Sequence, residues 1–262
     1  LSRRLLKPLA ELTQSSRSYK EHGTGVCFRL PCNDELGELG EALHEMKEHI
    51  DNSNQKMEQM AFRDPLTGLT NRRGLYQELE KLLQWSSQHQ QTLAVLFIDL
   101  DRFKQVNDST SHEYGDLLLK EVAKRLQQLV RHRAGIAGIS FPEETLLARL
   151  GGDEFVAILP QLQNANEAAD FAERIRKSMQ QPFQIKEHAF QLSSSTGISL
   201  FPDDARCTES IITHADIAMY HSKHSGRNSL HFFLPEMQLQ VQQHTLIQQS
   251  IITAMQTNQL FM

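Results

Sequence analysis

The sequence lacks any apolar run approaching the roughly 18 residues of a membrane helix. Its longest candidate, Leu93 to Ile98, reads instead as a buried strand. Cysteine is scarce: Cys27, Cys32 and Cys207 are an odd set with no CxxC, which argues against a disulfide framework and a zinc knuckle and fits a reducing compartment. There is no basic excess either. Lys plus Arg number 27 against 32 Asp plus Glu, a net charge of -5, so no general field favours coating nucleic acid. Any handling of phosphates must then occur at a local site with a metal. What is present, 39% apolar and 23% charged residues in 262, excludes a wholly disordered chain or a fibrous repeat. The opening at Leu1, with Arg3, Arg4 and Lys7, is expected of a fragment whose basic start sits just inside a membrane, and is not expected to be a signal peptide.

Two helical patterns occupy the first sixty residues. Leu5, Leu9, Leu12, Ser16 and Tyr19 step by threes and fours, and so do Leu36, Leu39, Leu43, Met46, Ile50, Ser53, Met57 and Met60. Such a seam predicts helices in a supercoiled bundle. The connector, His22 to Asn33, is broken by Gly23, Gly25 and Pro31, and Asn33 or Asp34 can cap the second helix. Two helices of this length cannot bury their seams alone, so dimerisation into a four-helix bundle with parallel helices is expected. His44, Glu45 and His49 do not make a protease zinc site, because the two histidines are five apart rather than four. Pro8, the glycine-bearing connector, the Asp34-Glu35-Leu36-Gly37 run and Met46 together resemble a HAMP domain, the relay beneath bacterial membrane receptors. The residues alone also fit a plain dimerising coiled coil.

Four constellations follow. Arg63 to Arg72 contains Pro65 and Gly68, which end the long helix, and Asn71, which can cap the next; by itself it is a turn. The second opens with the apolar run Leu93 to Ile98, which predicts a strand covered on both faces and ends at Asp99-Leu100-Asp101. Asp99 and Asp101 share a strand face, and carboxylates there suit a hard cation. Lys104, Asn107, His112, Gly115 and Asp116 come next, leading into a helix over 117–130. An amide and a carboxylate, Asn107 and Asp116, can read the acceptor and donors of a guanine edge.

The third constellation, Arg149 to Phe155, is flanked by apolar residues and predicts a hairpin turning at Gly151-Gly152. The glycines let phosphates approach the backbone, and Asp153 and Glu154 stand at the tip. If that hairpin lies beside the first strand, Asp153 approaches Asp99, and two acids holding divalent metal over a triphosphate is polymerase-like chemistry. The fourth, Lys223 to Asn228, ends a helical stretch from about Thr208, with Gly226 as its stop, and offers Lys223 and Arg227 to a phosphate.

In this order the four resemble the GGDEF family of diguanylate cyclases, whose signature stands letter for letter at 151–155, the match spanning about Arg63 to Phe233. The resemblance implies an α+β (α/β sandwich) chain. An all-α parallel HAMP bundle would occupy 1–60, and a palm-like, ferredoxin-related domain with a central, mostly antiparallel sheet 61–233. It implies the substrate GTP and the cofactor Mg²⁺ or Mn²⁺, held by Asp99, Asp153 and the carbonyl of Leu100. Asp153 matches the proposed general base, with Glu154 and Lys104 in the catalytic set. Asn107, His112, Asp116, Gly151, Gly152, Lys223 and Arg227 match substrate contacts, Lys104 joining the last two at the triphosphate. An RxxD feedback site is lacking, since Pro142 and Thr145 occupy its positions, and Arg131 to Glu144 is longer than the family leads one to expect.

Residues 234–262, with Leu239, Leu246, Ile247, Ile251 and Ala254, read as a linker and amphipathic helix resembling the lead-in to an EAL phosphodiesterase domain. The expected partners are GTP, a second copy (through the HAMP helices and across facing cyclase sites), an upstream membrane sensor and a downstream EAL domain, with no nucleic acid. The expected location is the cytoplasmic side of the bacterial inner membrane. The function expected is GTP condensation to cyclic di-GMP; the alternative is a silent GTP-binding module that regulates a phosphodiesterase.

Overall fold

The computed structural model describes residues 10–19, 28–30, 34–137 and 145–241, without the side chains of 54–60 and 131–137. The chain divides into two compact units, Leu1–Met60 and Ala61–Met262.

In the first unit, α1 is helical at residues 10–19, and α2, Glu35–Phe62, carries the chain into the second unit. Asp34 caps α2, its Oδ1 accepting the amides of Leu36 and Gly37, both at 3.2 Å. Leu12 of α1 shares a small cavity with Leu39 and Leu43 of α2, whereas Tyr19 donates to Asp51 Oδ1 at 2.7 Å. Later residues of α1 therefore meet later residues of α2, and the helices run parallel, as the length of the connector leads one to expect. Gly40 lets the connector approach α2, since a Cβ there would press on the carbonyl of Phe28. Leu39, Met46 and Ile50 remain 45%, 55% and 41% exposed. No helix among the described residues is long and apolar enough to cross a membrane.

The second unit is built on β1, Thr92–Asp101. Its alternation feeds two cores: Leu93, Val95 and Phe97 pack on one face, and Ala94, Leu96, Ile98 and Leu100 on the other. The first core takes α3, Arg72–His89, and α7, Thr208–His224; the second takes α5, His112–Ala137, and α6, Ala165–Met179. Short α4, Phe103–Ser109, links β1 to α5. The sheet also holds β2, Leu146–Gly151, β3, Glu154–Leu162, β6, Ser193–Phe201, and β7, Leu230–Phe232, in the order β2-β3-β1-β6-β7. All its pairings are antiparallel except β6 with β7. A separate hairpin, β4, Phe183–Ile185, and β5, His188–Phe190, packs against the α5 side. A last helical stretch, α8, covers 235–241, and its Met237 meets Phe233 and Ala218.

The expected mostly antiparallel sheet between helices is therefore present. Helix α5 begins at His112 rather than Leu117, which puts His112 and Asp116 one turn apart on one face. The Pro142 position of the missing feedback motif and most of the 234–262 amphipathic pattern lie outside the described residues.

The sheet approaches α7 closely at Gly197, where a Cβ would collide with the Ala215 carbonyl and the Met219 amide, both backbone. Backbone yields less than side chain, so Gly197→Ala should cost about 3 kcal/mol, the upper end of typical overpacking. A thermal melt measures this, and an unchanged midpoint would contradict the close approach.

Candidate active site

The site gathers at the end of β1. Register pairs Asp99 with Glu154, and the Leu100 amide donates to the Asp153 carbonyl at 3.3 Å, so the hairpin tip lies beside the strand as the sequence implies. The turn itself differs by one residue. Gly151 still pairs with Glu154, leaving Gly152 and Asp153 as the turn residues, with φ +145° at Gly151 and +54° at Gly152. A side chain at either glycine would be strained.

Arg149 fixes this turn. Nearly buried, it donates to the Gly152 carbonyl through Nε at 3.0 Å and Nη2 at 2.8 Å, and to both Asp64 oxygens through Nη1 at 3.0 and 3.1 Å. Asp64 also accepts the amide and hydroxyl of Thr67, at 2.9 and 2.6 Å. Burial pushes the Asp64 carboxyl up, but Thr67 and Arg149 outweigh it and hold the carboxyl below its ordinary value. The segment 63–72 is thus more than a turn: it anchors the glycine hairpin, and its Asn71 caps α3 by accepting the Gly74 amide at 3.0 Å.

Four of the expected residues converge here: Asp99, Asp153, Glu154 and Lys223. Lys223, in the last turn of α7, places Nζ 2.6 Å from Asp99 Oδ2. Asp99 is 4% exposed, and burial pushes its carboxyl up to about 6; Lys223 opposes this, while the charges of Asp153 and Asp101 add to it. Burial also raises Glu154, with Asp216 adding and Arg72 opposing. Arg72 and Asp216 had no role in the sequence reading, because their nearness to Glu154 depends on how α3 and α7 cover one face of the sheet. Asp101 shares the face of Asp99 as expected, but both its oxygens are engaged by Ser193, Ser195 and the Asn228 amide.

Lys104, Asn107, His112 and Asp116 lie on α4 and α5. Asn107 lies against Gly115, where a Cβ would collide with Asn107 Oδ1. That oxygen is buried with no hydrogen-bond partner, so it is available to a ligand donor. His112 and Asp116 on α5 and Lys104 on α4 are exposed. Arg227 stands in the turn after α7 with φ +63°. Among the described residues no three His, Cys, Asp or Glu side chains converge on one cation position. The oxygen donors at the hairpin tip nevertheless fit a hard cation, since a divalent charge would offset the burial that chiefly raises Asp99 and the smaller repulsion from Asp153 and Asp101.

Residues 61–229 match the family model described as diguanylate cyclase, GGDEF domain, and residues 1–52 match that of the HAMP domain. The bifunctional diguanylate cyclase/cyclic di-GMP phosphodiesterase MucR of Pseudomonas aeruginosa is 39% identical over 208 residues, covering 79% of this chain and 29% of MucR. The diguanylate cyclase TpbB of the same species is 32% identical over 242 residues, covering 87% of this chain and 53% of TpbB. This chain thus spans between about a quarter and a half of these relatives. The solved GGDEF domain of TpbB superposes with a TM-score of 0.63 at 35% identity, covering 69% of this chain and 99% of that domain.

Ionisation of Asp99 opposes folding. A carboxyl raised from 3.8 to about 6 contributes stability below its ordinary value and loses it as pH rises through 6. Asp99→Asn should therefore melt higher than wild type near pH 7.5, by at most about 3 kcal/mol, and no higher near pH 4. A variant that melts lower near pH 7.5 would show that the Lys223 pair outweighs burial. Added Mg²⁺ should stabilise wild type more than the variant.

Proposed function

This chain belongs to the GGDEF family of diguanylate cyclases, and we propose that it is an active member, condensing two GTP molecules into cyclic di-GMP under the control of its HAMP unit. The observation that carries the reading is the acidic corner itself: Asp99 beside the Asp153-Glu154 tip, with Lys223 at 2.6 Å. The relatives support cyclic di-GMP signalling; turnover by this chain is our inference.

The proposed chemistry divides among the chain's own residues. Asn107 and Asp116 orient the guanine, with His112 as a further contact; the unpaired, buried Oδ1 of Asn107 supports this. Gly151 and Gly152 leave room for the phosphates, and Lys104, Lys223 and Arg227 meet their charge. Asp99, Asp153 and the Leu100 carbonyl would hold Mg²⁺ or Mn²⁺, which when bound neutralises the triphosphate and polarises the α-phosphate. Asp153 takes the proton as the 3′-oxygen of one GTP bonds to the α-phosphorus of the other and the bond to pyrophosphate breaks. The same step in the opposite sense closes the ring and releases a second pyrophosphate.

One site holds half the reactants, so two copies must face each other. The exposed seam of Leu39, Met46 and Ile50 supports a dimer through the HAMP helices. We place the parent protein at the cytoplasmic side of a bacterial inner membrane, below a sensor and ahead of an EAL domain. The cyclic di-GMP phosphodiesterase NbdA of Pseudomonas aeruginosa, 31% identical over 211 residues, supports a second reading: a silent GTP-binding module that regulates such a phosphodiesterase.

Incubation with GTP and Mg²⁺, with chromatography of the nucleotides, tests the reading. Wild type should form cyclic di-GMP, and Asp153→Ala should lose at least about a hundredfold of the rate. GTP binding by a dimer with no product would favour the silent module. Leu43→Asp, which charges the seam, should separate the dimer and lower turnover in step; unchanged oligomeric state and activity would remove the HAMP unit from the mechanism.

A further inference from the structure

Asp101 lies two residues beyond Asp99 on the same strand face, where an acid invites a metal-binding role. Its contacts point elsewhere. It is 4% exposed, and Oδ1 accepts the Ser195 hydroxyl at 2.7 Å, while Oδ2 accepts the Ser193 hydroxyl at 2.6 Å and the Asn228 amide at 3.0 Å. All three donors are neutral, so directed hydrogen bonds meet the buried charge. The two serines come from β6, directly opposite β1. Asn228 comes from the turn beyond α7.

That turn has an unusual backbone. Gly226, Arg227 and Asn228 have φ of +115°, +63° and +47°. Asn adopts such angles readily, but an arginine holds one only where its surroundings favour it. On the helix side, the Arg227 amide donates to the Ser222 carbonyl at 3.1 Å. On the strand side, the Asn228 amide is tied to Asp101. The side chain between these two ties is Arg227, which lines a cleft of about 670 Å³ together with Asp101, Arg102 and Asn228.

We propose that Asp101 is a positioning residue for the nucleotide's phosphates, holding the Gly226–Asn228 turn so that Arg227 stands where a phosphate can be met. The role rests on the cyclase reading of the site, but it assigns Asp101 to substrate geometry and not to the metal.

The test uses the whole chain, with 3′-deoxy-GTP and Mg²⁺ as a probe that binds without reacting. Calorimetry should show D101A weakening the probe about tenfold and R227A about tenfold. The double variant should lose little more than either alone, since Asp101 acts through Arg227. The Mg²⁺ concentration for half-maximal binding should not move. Exchange of the Asn228 amide, measured without nucleotide, should quicken at least tenfold in D101A. D101N keeps an acceptor for that amide and should recover most of the affinity. If D101A does not fold, D101N carries the same comparison with a smaller loss. Losses that multiply in the double variant, or a shifted Mg²⁺ midpoint with Asn228 still protected, would overturn the proposal. A wild type that binds no probe would overturn the cyclase reading and this role with it, whereas failure of this inference alone shows only in the variants.

Discussion

Two carboxylates removed from water at the end of a buried strand constrain this domain more than any other feature. Charge in that position is costly unless a cation or directed donors meet it. Asp99 is met by Lys223 from the last turn of α7, and Asp101 by two serines of β6 and an amide beyond α7. The end of α7, the start of β6 and the turn that carries Arg227 are thereby drawn to one corner. Even so, Asp99 is only partly compensated, and its carboxyl stays well above the ordinary value. A site left short of positive charge is suited to receive a cation.

The hairpin tip reaches that corner because the apolar alternation of β1 leaves it little freedom. A slip of one residue against β3 would exchange the two cores, each of which is filled by helices from its own side. Register therefore sets Glu154 opposite Asp99, and Arg149 adds a second restraint. Its guanidinium joins the Gly152 carbonyl to Asp64, so the glycine turn is tied to the segment between α2 and α3. Pre-organisation of this kind limits how far the acids can wander.

The first unit obeys a different rule. Its parallel helices bury Leu12 but leave Leu39, Met46 and Ile50 largely open to water. An apolar stripe of that spacing would be covered by a second copy, and the proposed chemistry also requires two copies. Dimerisation would satisfy both demands at once.

Local order was legible in the sequence. Helical periods, the caps at Asp34 and Asn71, the doubly covered strand and the glycine hairpin each depend on residues within a few positions of one another. The motif acids were legible for the same reason. The longer-range partners were not. Arg149 with Asp64, Lys223 with Asp99 and Asp101 with Asn228 are far apart in the chain and share no period. Nor does any spacing signal that Gly115 leaves room for Asn107. The sequence by itself determined which elements form and which residues bear charge, because propensity, capping and alternation act locally. Only the tertiary structure decided that Asp101 is sealed by neutral donors while Asp99 remains under-compensated. The order β2-β3-β1-β6-β7 selects the neighbours of each buried carboxylate, and those neighbours set its cost.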